Sequence, residues 1–176
     1  MNYCEIKNCD IANGPGVRIT LFVSGCRNHC PGCFQPQTWD FAFGSPFDRE
    51  TEERIMKLLE PSYIRGITVL GGEPFEPENQ SALLGLLGNI RKWLPGKDVW
   101  IFTGFTWEEL HTDSCRAHTE FTEDLIAAAD VIVDGRFVEE KKNIRLRFRG
   151  SENQRIIDVK SSIACGGVVL WGDESR

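Results

Sequence analysis

The chain holds 176 residues, 41% hydrophobic and 26% charged, which fits one globular domain with a proper core. A formal charge of −6 argues against broad nucleic-acid binding, which relies on a basic surface. The first ten residues, MNYCEIKNCD, lack a signal-peptide core, and no run approaches a membrane span. Asn13-Gly14-Pro15-Gly16 is a turn signal, and Val17 to Ser24 behind it reads as a buried strand interrupted by Arg18 and Thr20. Cys26, Cys30 and Cys33 follow at once, with Gly25, Pro31 and Gly32 suited to a tight loop. Residues 35–47 read as an aromatic-rich loop, and Asp48 as the N-cap of a helix running to Glu60. Gly66 to Leu70 is a second strand, ending in Gly71-Gly72-Glu73-Pro74. The spacing of Leu83, Leu86, Leu87, Ile90 and Leu94 predicts a helix from about Glu78 to Trp93 with one buried face.

Val99 to Thr103 is a third strand, and Thr106 with Glu109 forms a capping-box pattern for a short helix. Leu125 to Ala129 closes a further helix, and Asp130 to Asp134 is a fourth strand. Regular alternation of strand and helix implies parallel βαβ units. Four or five of them are too few to close a barrel of eight, so the expected fold is α/β, a partial, open (β/α) barrel with parallel strands. Active sites in such barrels lie at the C-terminal ends of strands, where the cysteine loop falls. Ile144, Leu146 and Phe148 alternate with Arg145, Arg147 and Arg149, which reads as a strand with one basic face. That face suits either a solvated edge or a docking surface for an anionic partner. Ile156 to Val159 and Val168 to Trp171 are two further short apolar runs. The chain is expected to form a single domain over 1–176, with its core at about 14–160 and a C-terminal extension at 161–176.

The chemistry concentrates in the C-x3-C-x2-C spacing of Cys26, Cys30 and Cys33. Three thiolates cannot close a four-coordinate zinc site, and they leave one iron of a cubane [4Fe–4S] cluster without a protein ligand. A zinc knuckle or a set of buried thiols is the plainer alternative. An electron carrier would normally use four cysteines, and no fourth lies nearby. Cys4, Cys9, Cys115 and Cys165 are scattered as core or surface thiols. His29, His111 and His118 receive no role. The odd count of seven cysteines suits reduced thiols in the cytoplasm better than a disulfide framework.

The cysteine spacing after a strand resembles that of the radical S-adenosylmethionine (SAM) enzymes. Asn13-Gly14-Pro15-Gly16-Val17-Arg18, FVSGC, CPGCFQPQTW and GGEP together resemble the glycyl-radical-enzyme activases. Val133 to Phe137 and the run Phe148 to Asp158 (FRGSENQRIID) are similar to one branch, which activates anaerobic ribonucleoside-triphosphate reductase. The likeness runs from about residue 3 to 159. It implies a radical SAM type of barrel and a [4Fe–4S] cluster on Cys26, Cys30 and Cys33. It further implies reductive cleavage of SAM to a 5′-deoxyadenosyl radical that abstracts hydrogen from a glycine of the reductase. The implied partners are the reductase's glycyl-radical subunit and a low-potential electron donor such as a flavodoxin, with no nucleic acid and no membrane.

The expected cofactor contacts are Gly32, Cys33 and Phe34 together with Gly71, Gly72 and Glu73. The two strand-end glycines let backbone carbonyls approach the SAM amine, and Glu73 sets negative charge against its ammonium. Many superfamily members carry an aromatic just before the third cysteine. Gly32 stands there in this chain, with Phe34 one step beyond the cysteine, so the adenine contact is open. Formate-lyase-type activases and 7-deazaguanine-forming synthases are the nearest alternatives, and the FRGSENQRIID run argues against both.

Overall fold

A computed structural model describes residues 1–172; the last four residues of the expected C-terminal extension lie outside the described residues. The chain runs β1 (Asn2–Asp10), β2 (Val17–Val23), β3 (Ser45–Pro46), α1 (Arg49–Leu59), β4 (Ile64–Gly71), α2 (Pro77–Trp93) and β5 (Asp98–Phe102). It continues α3 (Trp107–Leu110), α4 (Thr122–Ala127), β6 (Val131–Asp134), β7 (Arg155–Asp158) and α5 (Val159–Cys165). All the strands join one seven-stranded sheet of order β3-β1-β2-β4-β5-β6-β7. The four central strands, β2, β4, β5 and β6, pair in parallel through helical crossovers. Among the described residues no helix is long and apolar enough to cross a membrane.

Strand alternation divides the molecule into an apolar and a mixed side. Ile19, Leu21 and Val23 of β2 face the helices, where they join Ile55 and Leu59 of α1 and Leu83, Leu86, Leu87 and Ile90 of α2 in one buried cluster. The expected helices stand. Asp48 caps α1 by accepting from the Thr51 backbone N–H, and Thr106 with Glu109 completes a capping box on α3. On the other side, Trp100, Val131 and Val133 form a smaller cluster against Phe102, Phe148, Ile156 and Trp171. Beside them lies Arg18, fully buried. Its guanidinium donates to Thr68 Oγ1 (2.8 Å), to the Ile67 carbonyl (2.8 Å) and to the Pro15 carbonyl (3.2 Å). It also forms an ion pair with Asp98. Arg18 thereby binds the Asn13–Gly16 turn to the sheet.

Two sequence expectations need correction, and one strand carried no sequence signal. The sheet is open, as expected, but only partly parallel, because β1 and β3 at one edge and β7 at the other run antiparallel to their neighbours. β1 itself escaped the hydrophobic pattern because most of its side chains are exposed or half-exposed and carry no alternation. The basic run at 144–149 is not a strand: residues 142–150 turn back on themselves, and Ile144 is 92% exposed. A strand needs a partner, and the free edge of β7 is covered instead by the Val168–Trp171 run. Asp158 N–H donates to the Val169 carbonyl and Trp171 N–H to the Ile156 carbonyl.

Replacing Arg18 with leucine should strip the buried Ile67 carbonyl, the part-buried Pro15 carbonyl and Asp98 of a partner at once. Urea unfolding should show a loss of about 2–4 kcal/mol. A change within experimental error would mean that the guanidinium does not hold the turn.

Candidate active site

The site lies where β2, β4 and β5 end together. The parallel register aligns Val23 with Gly71, so the loops that leave these two strands start side by side. Backbone bonds then join them: Gly72 N–H donates to the Val23 carbonyl (2.7 Å) and Glu73 N–H to the Gly25 carbonyl (2.8 Å). From the other side the 3-10 turn Pro36–Trp39 accepts from the loop, Gly25 N–H to the Thr38 carbonyl (2.8 Å) and Cys26 N–H to the Trp39 carbonyl (3.2 Å). Gly25 is held at φ 94°, in the left-handed region, and a Cβ there would run into the Phe41 ring. The backbone on either side of Cys26 is fixed before any side chain acts.

Glu73 is the hub of the site. It is 1% exposed and accepts four hydrogen bonds, from Phe75 N–H (3.0 Å) and Thr103 Oγ1 (2.7 Å) on one oxygen and from Asn28 Nδ2 (3.0 Å) and Gly104 N–H (2.7 Å) on the other. Burial pushes its carboxyl up to about 7, with the nearby Glu76 adding to the rise, against the downward pull of these donors. Glu76, also buried, sits at the N-cap position of α2 but does not cap it. Its carboxylate reaches instead to the cysteine loop, accepting from the Arg27 backbone N–H (2.8 Å), the Arg27 guanidinium (2.6 Å) and Arg116 (3.3 Å). Asn28 accepts from Arg116 (2.6 Å), and Asn79 donates to the Ser24 and Glu73 carbonyls.

These elements surround a cavity of about 530 Å³. Cys26, Cys30 and Cys33 line it together with Phe34, Gly71, Gly72 and Glu73, so most of the expected site residues border one cavity. Gly32 does not line it; a Cβ on Gly32 would lie 2.9 Å from the Glu139 carboxyl. The Cys26 thiol is buried, which together with the Glu73 charge pushes it up to about 12, and burial also raises Cys30. The thiols of Cys26 and Cys30 therefore hold their protons more tightly than free cysteines do, and loading a metal must release them. No group of three His, Cys, Asp or Glu side chains among the described residues is already gathered in a metal-ligating arrangement. The three thiols line one cavity without being drawn together at a point.

The structure brings in residues that the sequence pattern did not single out. Arg27, Asn28, Glu76, Asn79 and Arg116 hold the loop, and Thr103 and Gly104 hold Glu73; the sequence signalled only Arg27 and Glu76, as charges within the loop and just after GGEP. Further lining comes from the two runs that resembled one branch, through Gly135, Phe137, Phe148, Arg149, Gly150 and Gln154. Asp134 pairs with Arg155 across β6 and β7, in register and by an ion pair. Gln154 Nε2 donates to the Gly135 carbonyl (3.1 Å), while its Oε1 accepts from Gly150 N–H (2.8 Å) and Ser151 N–H (3.1 Å). Asn153 donates to the Arg136 carbonyl (2.8 Å).

Residues 12–157 match a family model described as a 4Fe-4S single cluster domain. Among curated proteins, the chain is similar to the anaerobic ribonucleoside-triphosphate reductase-activating protein of Escherichia coli strain K12, with 42% identity over 156 residues, 88% of this chain and 96% of the relative. The protein of that name from Vibrio cholerae serotype O1 is 41% identical over 158 residues, 89% of this chain and 97% of the relative. The one from Enterobacteria phage T4 is 35% identical over 156 residues, 89% and 93%.

Gly72 carries a consequence for mutagenesis. A Cβ there would lie 2.6 Å from the Gly25 carbonyl oxygen, a backbone atom of the cysteine loop, whereas one on Gly88 of α2 meets nothing within 4 Å. Gly72→Ala should therefore destabilise the fold by about 1–3 kcal/mol, as an overpacked site does, and Gly88→Ala should stabilise it by about 0.5–1 kcal/mol. Urea midpoints of the two variants check both signs.

Proposed function

The chain belongs to the family of anaerobic ribonucleoside-triphosphate reductase-activating proteins, within the 4Fe-4S single cluster domain family, and we propose that it activates such a reductase by radical SAM chemistry. The observation that carries this reading is the common cavity: three cysteines at C-x3-C-x2-C spacing and the Gly71–Glu73 strand end line it together. In this reading the open sheet is a partial (β/α) barrel of the radical SAM type. Cys26, Cys30 and Cys33 would hold the cluster as thiolates. When bound, the cluster and SAM supply an electron and a 5′-deoxyadenosyl radical, which takes a hydrogen atom from a glycine of the reductase.

The chain's own contribution is placement. Gly71 and Gly72 keep side chains out of the strand end, so a ligand amine can approach backbone carbonyls there. Glu73 has its four hydrogen bonds committed to protein donors, so it acts on a bound ammonium through its charge while fixing Asn28 and Gly104. Phe34, 68% exposed and packed at 5.3 Å from the Phe137 ring, is available for stacking at the rim. The apolar lining from Leu70, Phe102 and Phe148 excludes water from the reacting atoms. Electrons come from a low-potential donor such as a flavodoxin.

Two measurements test this. Cys26→Ala, Cys30→Ala and Cys33→Ala should each lose bound iron, while Cys4→Ala, Cys9→Ala, Cys115→Ala and Cys165→Ala retain it. Iron loss in that second set equal to that in the first would overturn the assignment. With reduced enzyme, SAM and a reductase carrying α-deuterated glycine, deuterium should move into 5′-deoxyadenosine and a glycyl radical signal should appear. SAM consumption with deuterium retained on the glycine would favour a small-molecule substrate instead.

A further inference from the structure

Residues 141–149 carry five cations, Lys141, Lys142, Arg145, Arg147 and Arg149, and no acid, although the chain as a whole has a net charge of −6. A quarter of the chain's 20 Lys and Arg residues thus sit in one nine-residue stretch. This stretch is a loop closed at its base. Lys142 bridges Ser151, Asn143 N–H donates to the Gly150 carbonyl (3.2 Å), and Glu152 N–H donates to the Lys141 carbonyl (2.9 Å). Its C-terminal side is anchored by Phe148, held at φ 56° with its ring edge-on to Trp100, which meets Trp171 in the same way on the C-terminal run. A phenylalanine in the left-handed region is strained, and packing of this kind is what holds it there. The base and anchor are fixed while the tip is open: Ile144 is 92% exposed and Arg145 is exposed.

The loop also stands at the mouth of the cavity, lined by Lys142, Asn143, Ile144, Leu146, Phe148 and Arg149. A protein that delivers a backbone segment into the cavity has to pass this tip. We propose that the loop at 141–149 is the docking surface for the reductase, which meets it with an acidic face and an apolar seat for Ile144; this rests on the activation reading above. Positive charge concentrated at the mouth of an otherwise acidic molecule steers an acidic partner to the site and turns it toward the cavity. Ile144 supplies the short-range apolar contact that charge alone does not give.

The test is the affinity of the full-length, cluster-loaded protein for its cognate reductase, measured at low and at moderate salt, with glycyl radical formation followed under chemical reduction by dithionite. Arg145→Glu should weaken binding by about tenfold at low salt, with the deficit shrinking as salt screens it. It should leave SAM cleavage without reductase unchanged. Arg54→Glu on α1, on the opposite face of the sheet, makes the same charge change and should bind within about twofold of the wild type. Ile144→Asp should weaken binding with a loss that persists at moderate salt. Wild-type affinity in Arg145→Glu, or an equal loss in Arg54→Glu, overturns the proposal. A defect that appears only when a flavodoxin supplies the electrons, and vanishes with dithionite, assigns the loop to the electron donor and also overturns it. A wild-type protein that binds the reductase but forms no glycyl radical overturns the activation reading instead, leaving docking to be decided by the affinities.

Discussion

A buried carboxylate holds the site together. Glu73 takes two donors from the segment that follows β5, one from its own turn and one from the cysteine loop, so three strand ends meet on one pair of oxygens. Burying it is costly, as the upward push on its carboxyl shows, and the four donors offset that cost only while all three segments stay in place. Glu76 repeats the arrangement one turn later with Arg27 and Arg116. Two acids placed three residues apart thus fix the loop that carries Cys26 from both ends of its first turn. Their joint negative charge opposes ionisation of the Cys26 thiol in the metal-free protein.

The two sides of the sheet divide the labour. Helices α1, α2 and α4 cover one side with aliphatic side chains and supply the main core. The other side cannot be covered in this way without filling the cavity. It is stabilised instead by a polar layer, in which Arg18 bonds Thr68 and backbone carbonyls, and by the aromatic cluster around Trp100. Asp10, also buried on β1, shows the same solution. Burial would raise its carboxyl, but donors from Ala12, Thr20 and Asn13, with Lys7 beside it, bring it down to about 2. Ala12 and Asn13, which it positions, reach the cavity wall.

The aromatic cluster connects distant parts of the chain. Trp100 meets Phe148 on one edge and Trp171 on another, with the Arg18 guanidinium 5.5 Å from its ring. The cavity loop, the C-terminal run and the Asn13–Gly16 turn therefore lean on one indole. The edge of β7 that the C-terminal run covers is the edge that a 144–149 strand would have needed.

The sequence by itself determined what depends on neighbours along the chain. The strand-and-helix alternation, the Asp48 cap, the Thr106–Glu109 box and the buried face of α2 all follow from local spacing, and each stands in the structure. The cysteine spacing and the GGEP strand end were equally legible, because loop chemistry at strand ends is written in consecutive residues. Tertiary structure decided what depends on partners across the chain. β1 exists because β2 offers it an edge, although its own exposed residues carry no pattern. The run at 144–149 has a strand's pattern and no edge to join, so it folds over the cavity. Glu76 and Arg27 lie 49 residues apart, and periodicity along the chain holds no record of such a pair. Local spacing reports which face a residue takes; which groups then meet on that face is settled only when the strands align.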